Sequence, residues 1–127
     1  MNIAILEDNP GVGRLFEKGL GREHTVHVAN TVRDFFSFIA ASENVDLIIV
    51  DYRLISEHGE EKGNLSGADV IRAVRKTLPN LPAIVISAAS LGVLQAACDG
   101  LSRLQILQKP FKMDYLRETI QTLIANK

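Results

Sequence analysis

Leu47-Ile48-Ile49-Val50-Asp51 is a run of four aliphatic side chains closed by a carboxylate. Runs this short and this rich in Ile and Val read as strands buried on both faces. Three other stretches have the same form. Ile3-Ala4-Ile5-Leu6 leads into Glu7-Asp8, Ala83-Ile84-Val85-Ile86 into Ser87, and Leu104-Gln105-Ile106-Leu107-Gln108 into Lys109. In open parallel sheets, ligands bind outside the carboxyl ends of the strands. Three acids, one hydroxyl and one amine are therefore delivered to one sheet edge. That combination suits a hard cation together with a phosphoryl group.

Working outward, helical patterns separate the strands. A first strand over about Asn2–Leu6 is followed by a helix from Pro10 to Gly21, with Pro10 suited to the first turn. A second strand, Thr25–Ala29, alternates polar and apolar residues and reads as an edge. The second helix spans Val32–Ala41, capped by Asn30 or Thr31, with Val32, Phe35, Phe36 and Ile39 as its buried stripe. After the third strand comes a long polar connection, Tyr52 to Leu65. Ser66-Gly67-Ala68-Asp69 resembles a capping box and opens a third helix with Val70, Ile71 and Val74 on its apolar face. Pro79 and Pro82 end that helix. A weaker fourth helix covers Leu91–Asp99, with Gly100 as its stop. The last helix, Met113–Ala125, places Leu116, Ile120, Leu123 and Ile124 on one face. Strands alternating with helices imply a parallel sheet with right-handed crossovers.

Composition limits the class. The chain has 127 residues, the size of a single domain, so residues 1–127 are expected to form one unit. The net charge is -1 and no Lys/Arg cluster stands out, which argues against direct nucleic-acid binding. The lone Cys98 excludes an internal disulfide and fits a reducing, cytoplasmic setting. It reads as a small buried or half-buried helix residue. No apolar run approaches the roughly 20 residues of a membrane span, and no N-terminal signal is expected.

Glu7-Asp8, Asp51, Ser87 and Lys109-Pro110-Phe111, in that order and at those strand ends, resemble the receiver domain of two-component response regulators over essentially the whole chain. Singly, each has an ordinary alternative: a helix cap for Glu7-Asp8, a turn for Asp51, a strand-end hydroxyl for Ser87, a strand exit for Lys109-Pro110. The specificity lies in the joint pattern. The resemblance implies an α/β, flavodoxin-like three-layer fold with five helices and a five-stranded parallel sheet ordered 2-1-3-4-5. It makes Asp51 the phosphoacceptor. Glu7, Asp8 and Asp51, with the backbone carbonyl of Arg53, become the Mg2+ site, and Ser87 and Lys109 contact the phosphoryl group. It implies a histidine kinase or histidine phosphotransfer protein as donor, and a downstream protein or fused output domain as receiver of the signal. A homodimer through the fourth helix, fifth strand and fifth helix is a further implication.

The chemistry stands beside the resemblance. Crowded carboxylates raise one another's pKa, and a divalent cation relieves the repulsion. Mg2+ takes oxygen ligands and retains waters, so two or three carboxylates suit it. An Asp carboxylate is a competent nucleophile toward phosphorus, and phosphoryl transfer depends chiefly on charge neutralisation. A haloacid-dehalogenase-type phosphatase requires a second Asp two residues after the nucleophile. Arg53 stands there, which argues against turnover on external substrates. Gly11-Val12-Gly13 lacks the third Gly of a dinucleotide fingerprint, and no P-loop is present. The competing class is a receiver-like adaptor that acts by protein contacts without phosphorylation.

The chain departs from the family in two places. Ile106 stands where receivers carry an aromatic residue that turns inward on phosphorylation. This bears on the serine–aromatic coupling, not on the phosphoacceptor. The connection after Asp51 is about twice the usual length, with Ile55 in place of a common Pro. Its segment Ser56–Asn64 is expected to be a mobile surface excursion, because it carries three Glu, one His and no apolar residue, with a lid or partner-specific contact above the phosphorylation site as the functional alternative. Glu57, His58 and Glu60 lack the spacing of a metal site. His24 and His27 read as exposed edge residues.

Overall fold

The computed structural model describes residues 1–55 and 61–125, with only the backbone described for 54, 55 and 61–65. Twelve elements follow in order: β1 (Asn2–Leu6), α1 (Pro10–Leu20), β2 (Thr25–Ala29), α2 (Val32–Ala41), β3 (Leu47–Asp51), β4 (Arg53–Ile55), β5 (Glu61–Ser66), α3 (Gly67–Val74), β6 (Ala83–Ser87), α4 (Leu91–Ala97), β7 (Leu104–Gln108) and α5 (Met113–Ala125). Five of the strands form one parallel sheet in the order β2-β1-β3-β6-β7. Counting only those five, this is the expected 2-1-3-4-5 order, with five helices around the sheet.

The alternation of side chains along each strand explains the three layers. Ile3, Ile5, Leu47, Ile49, Ile84 and Ile86 join Phe16 and Leu20 of α1 and Leu116, Ile120 and Leu123 of α5 in one core. The intervening Ala4, Leu6, Ile48, Val50, Ala83 and Val85 join α2, α3 and α4 through Phe35, Ile39, Val70, Ile71, Val74 and Leu94. β3 and β6 are buried at every residue, so no polar side chain is tolerated until the strand ends. β2 is an edge, with Thr25 and His27 exposed, and His27 stacks on Phe38 with ring centroids 3.8 Å apart. β7 is the other edge. Leu107 alone of its side chains is fully buried, which corrects the expectation of burial on both faces there.

Helix ends follow their caps. Thr31 caps α2, accepting from the Asp34 amide, and Ser66 with Asp69 forms a reciprocal capping box on α3. α3 ends at Val74, well before Pro79. Gly100, at φ +81°, closes the turn after α4, and Cys98 is buried at that helix's C-terminal end.

The connection after Asp51 differs from the expected featureless excursion. β4 and β5 pair antiparallel, Arg53 opposite Ser66 and Ile55 opposite Glu61, so a two-stranded ribbon runs directly into α3. Backbone hydrogen bonding stabilises it and needs no apolar side chains, which is why composition concealed it. Residues 56–60, including the rejected metal candidates Glu57, His58 and Glu60, lie outside the described residues. The expectation of mobility there lies outside them too.

Candidate functional site

The register of the central strands builds the site. Leu6 pairs with Val50, so the next residues, Glu7 and Asp51, leave adjacent strand ends together. Glu7, Asp8 and Asp51 each offer a carboxylate oxygen, and these atoms lie within 4.8 Å of one another. Lys109, just past β7, reaches across the top of the sheet. Its Nζ stands 3.3 Å from Glu7 Oε1 and 3.4 Å from Asp51 Oδ2. Glu7 and Asp51 are buried, Lys109 is half-buried, and Asp8 is partly open to solvent. The four charged side chains singled out in the sequence therefore meet.

Ser87 ends β6 one strand over. It is buried, and its Oγ accepts from the Ala89 amide at 3.0 Å. Its carbonyl accepts from the Lys109 amide at 2.8 Å, tying the two phosphoryl-contact candidates to each other through the backbone. Arg53 donates its amide to Asp51 Oδ1 at 3.2 Å, so the residue whose carbonyl was assigned to the metal abuts the acceptor carboxylate.

Electrostatics follow burial. The Glu7 carboxyl is pushed up to about 7, first by its removal from water, then by its hydrogen bond with Asp8 and the charge of Asp51. The Asn9 amide and Lys109 oppose this without overcoming it. For Lys109, burial lowers the pKa, but the Asp51 and Glu7 carboxylates outweigh burial and hold it raised. The two shifts fit one picture. Below pH 7 the Glu7 carboxyl is largely neutral, while the Lys109 ammonium stays charged.

Supporting residues escaped sequence reasoning. Asn9, not Glu7 or Asp8, caps α1. Its Oδ1 accepts from the Gly11 amide at 2.9 Å, while its own amide donates to Glu7 Oε2 at 3.2 Å. Asn30 does not cap α2; its Nδ2 donates to the Glu7 carbonyl at 2.9 Å. Asn30, immediately after β2, and Asn9, three residues past β1, were the available signals. Gly67 is a third. Its amide donates to the Tyr52 carbonyl at 2.8 Å, and a Cβ there would lie 2.6 Å from the Asp51 carbonyl oxygen. Only glycine lets the start of α3 sit against the backbone of Asp51.

The response regulator receiver domain family matches residues 3–121. The chain belongs to that family. Among solved structures, a response regulator receiver domain protein from Clostridium thermocellum is similar at 20% identity and TM-score 0.81, over 98% of this chain and 94% of that one. The Vibrio cholerae chemotaxis protein CheY4 is similar at 17% identity and TM-score 0.81, over 96% and 97%. NtrX from Brucella abortus matches at 21% identity and TM-score 0.81 over 98% of this chain but 27% of that longer one. At such identities the likeness concerns the fold. No curated protein matches in sequence. A receiver domain of two-component systems is not a conventional enzyme on external substrates. Among the described residues no helix is long and apolar enough to cross a membrane.

The donor set fits Mg2+. Three carboxylate oxygens close enough to share one ion, with one acid open to solvent, match a cation that prefers oxygen and keeps its waters.

Proposed function

We propose that this receiver is a phosphorylation-activated switch whose acceptor is Asp51. The observation that carries it is the convergence of Asp51 with Glu7, Asp8 and Lys109 at one end of the sheet. A phosphohistidine of a histidine kinase or phosphotransfer protein is the donor. An Asp51 carboxylate oxygen attacks phosphorus, a P–O bond forms, and the P–N bond to imidazole breaks with protonation of the leaving nitrogen. Bound through Glu7, Asp8, Asp51 and the Arg53 carbonyl, Mg2+ would neutralise charge on the transferring phosphoryl oxygens. Lys109, held charged beside Asp51, exchanges its carboxylate partner for a phosphoryl oxygen. The Ser87 hydroxyl donates to another.

Signal output is assigned to the face of α4, β7 and α5. Leu91, Val93 and Tyr115 are exposed there, and Leu91 and Tyr115 line a groove of about 460 Å³ with Ile106, Pro110 and Phe111. A downstream protein, a fused output domain or a second copy is the partner. Leu94 of α4 does not belong to this surface: it is fully buried, and Leu101 and Leu104 pack on the core.

Incubation with acetyl phosphate and Mg2+ should add one phosphate mass to the wild type and none to Asp51→Asn. Equal labelling of that variant overturns the assignment. Ile106, a hydrocarbon at the usual aromatic position, favours one alternative: an adaptor whose contacts do not require phosphate. Undiminished partner binding by Asp51→Asn, with no gain on phosphorylation of the wild type, would select it.

A further inference from the structure

We propose that Gln108 is a positioning residue for the Ser87 hydroxyl, acting through Ala89; the proposal rests on the assignment of Ser87 as a phosphoryl contact. Gln108 ends β7, paired in register with Ser87 at the end of β6. Its Nε2 donates to the Ala89 carbonyl at 3.1 Å. The amide of the same Ala89 donates to Ser87 Oγ at 3.0 Å. Ala89 is thus held on both sides, its carbonyl by the Gln108 side chain and its N–H by the serine oxygen. Only residues 88–90 link β6 to α4, and Ser90 is already committed as the α4 cap, so little else in that link can hold Ala89.

The chemistry of a hydroxyl makes this matter. A serine oxygen carries one proton and two lone pairs. Accepting from the Ala89 amide uses one lone pair and leaves the proton free to be donated elsewhere. Where Ala89 sits therefore sets the direction in which Ser87 donates. Alternation along β7 puts Gln108 on the same sheet face as Leu104 and Ile106, the face that packs toward α4. Ile106 has no polar atom in its side chain with which to hold the link. Gln108, two residues further, supplies the polar contact on that face. Its charged neighbour Lys109 points to the acids, and its amide holds the Ser87 carbonyl at 2.8 Å. Consecutive residues of one strand end therefore fix the backbone of Ser87 and the position of its side chain.

The test uses Gln108→Met, which keeps length and stem but removes the donor, with Ser87→Ala and the double variant. Phosphorylation by acetyl phosphate is followed by intact mass. Loss of one such hydrogen bond should slow phosphorylation at saturating donor about three- to tenfold. The Mg2+ and acetyl phosphate concentrations giving half-maximal rate should not move. In the Ser87→Ala background, Gln108→Met should have no further effect, because the group it positions is gone. Equal slowing in both backgrounds would mean that Gln108 acts by another route and overturns the proposal. So would an unaltered rate for Gln108→Met beside an impaired Ser87→Ala. If Ser87→Ala itself matches wild type, the assignment of Ser87 falls first and Gln108 loses its role with it.

Discussion

Glu7 offers a sharp physical test, because its burial and its proposed charge pull in opposite directions. Its carboxyl titrates at about 7 in the folded protein against an ordinary value of 4.5. A folded-state pKa above the unfolded one means that the fold binds the proton more tightly. The associated stability is therefore complete below pH 4.5 and is lost as pH rises to about 7. A displacement of this size corresponds to roughly 3 kcal/mol. Lys109 does not blur the window, since its raised pKa keeps it charged throughout. Glu7→Gln retains the volume and cannot ionise. Urea unfolding of both proteins from pH 4 to 8, in EDTA, should show the variant gaining on wild type by roughly 3 kcal/mol between pH 4.5 and 7.5, then levelling. The same proton competes with a cation that requires the carboxylate. Mg2+ affinity of the wild type should fall roughly tenfold from its plateau by pH 6, and the affinity of the variant should be weak but nearly flat. A stability gap independent of pH would show that Glu7 binds its proton no more tightly in the folded protein than in the unfolded one. Burial would then not dominate its electrostatics.

Three further expectations follow from the same geometry. Lys109→Ala should lose no more than about 1 kcal/mol of stability, because the side chain is partly solvated, yet impair the phosphorylated state or its readout; urea unfolding beside phosphorylation and partner-binding measurements separates the two. Gly67→Ala should destabilise by about 1–3 kcal/mol, against the usual gain from alanine in a helix, because its Cβ would meet the Asp51 and Tyr52 backbone at 2.6 and 2.9 Å. Leu91→Glu or Val93→Glu, at side chains 44% and 50% exposed, should weaken partner binding or self-association while leaving folding and Asp51 labelling intact; unaltered association would remove α4 from the output face.

What was legible in the sequence follows from how each element is stabilised. β1, β3 and β6 are continuous apolar runs because a parallel sheet covered on both faces admits nothing else. The first polar residue therefore marks the strand end and the site at once, at Glu7, Asp51 and Ser87. Helices whose ends are fixed by side chains, such as α2 at Thr31 and α3 at Ser66, were legible for a similar reason: the capping group is written locally. The β4–β5 ribbon was not, because its pairing is backbone to backbone and its residues lack the alternation that marks a half-buried strand. The facing of α4 was also hidden. Leu91, Val93, Leu94, Ala96 and Ala97 leave no polar face in seven residues, so only packing decides that Leu94 is core and Leu91 is surface. The same logic covers Asn9, Asn30 and Gln108. Asn9 caps α1 with its side-chain oxygen while its backbone N–H donates to Glu7, and the side-chain amides of Asn30 and Gln108 donate to the Glu7 carbonyl and to the link that carries Ser87. Charge at a strand end announces a site because burying it is costly without partners. The amides that hold such a site bear no comparable penalty at the surface, so they leave no comparable trace. Supporting residues of this kind emerge only once the strands are in register.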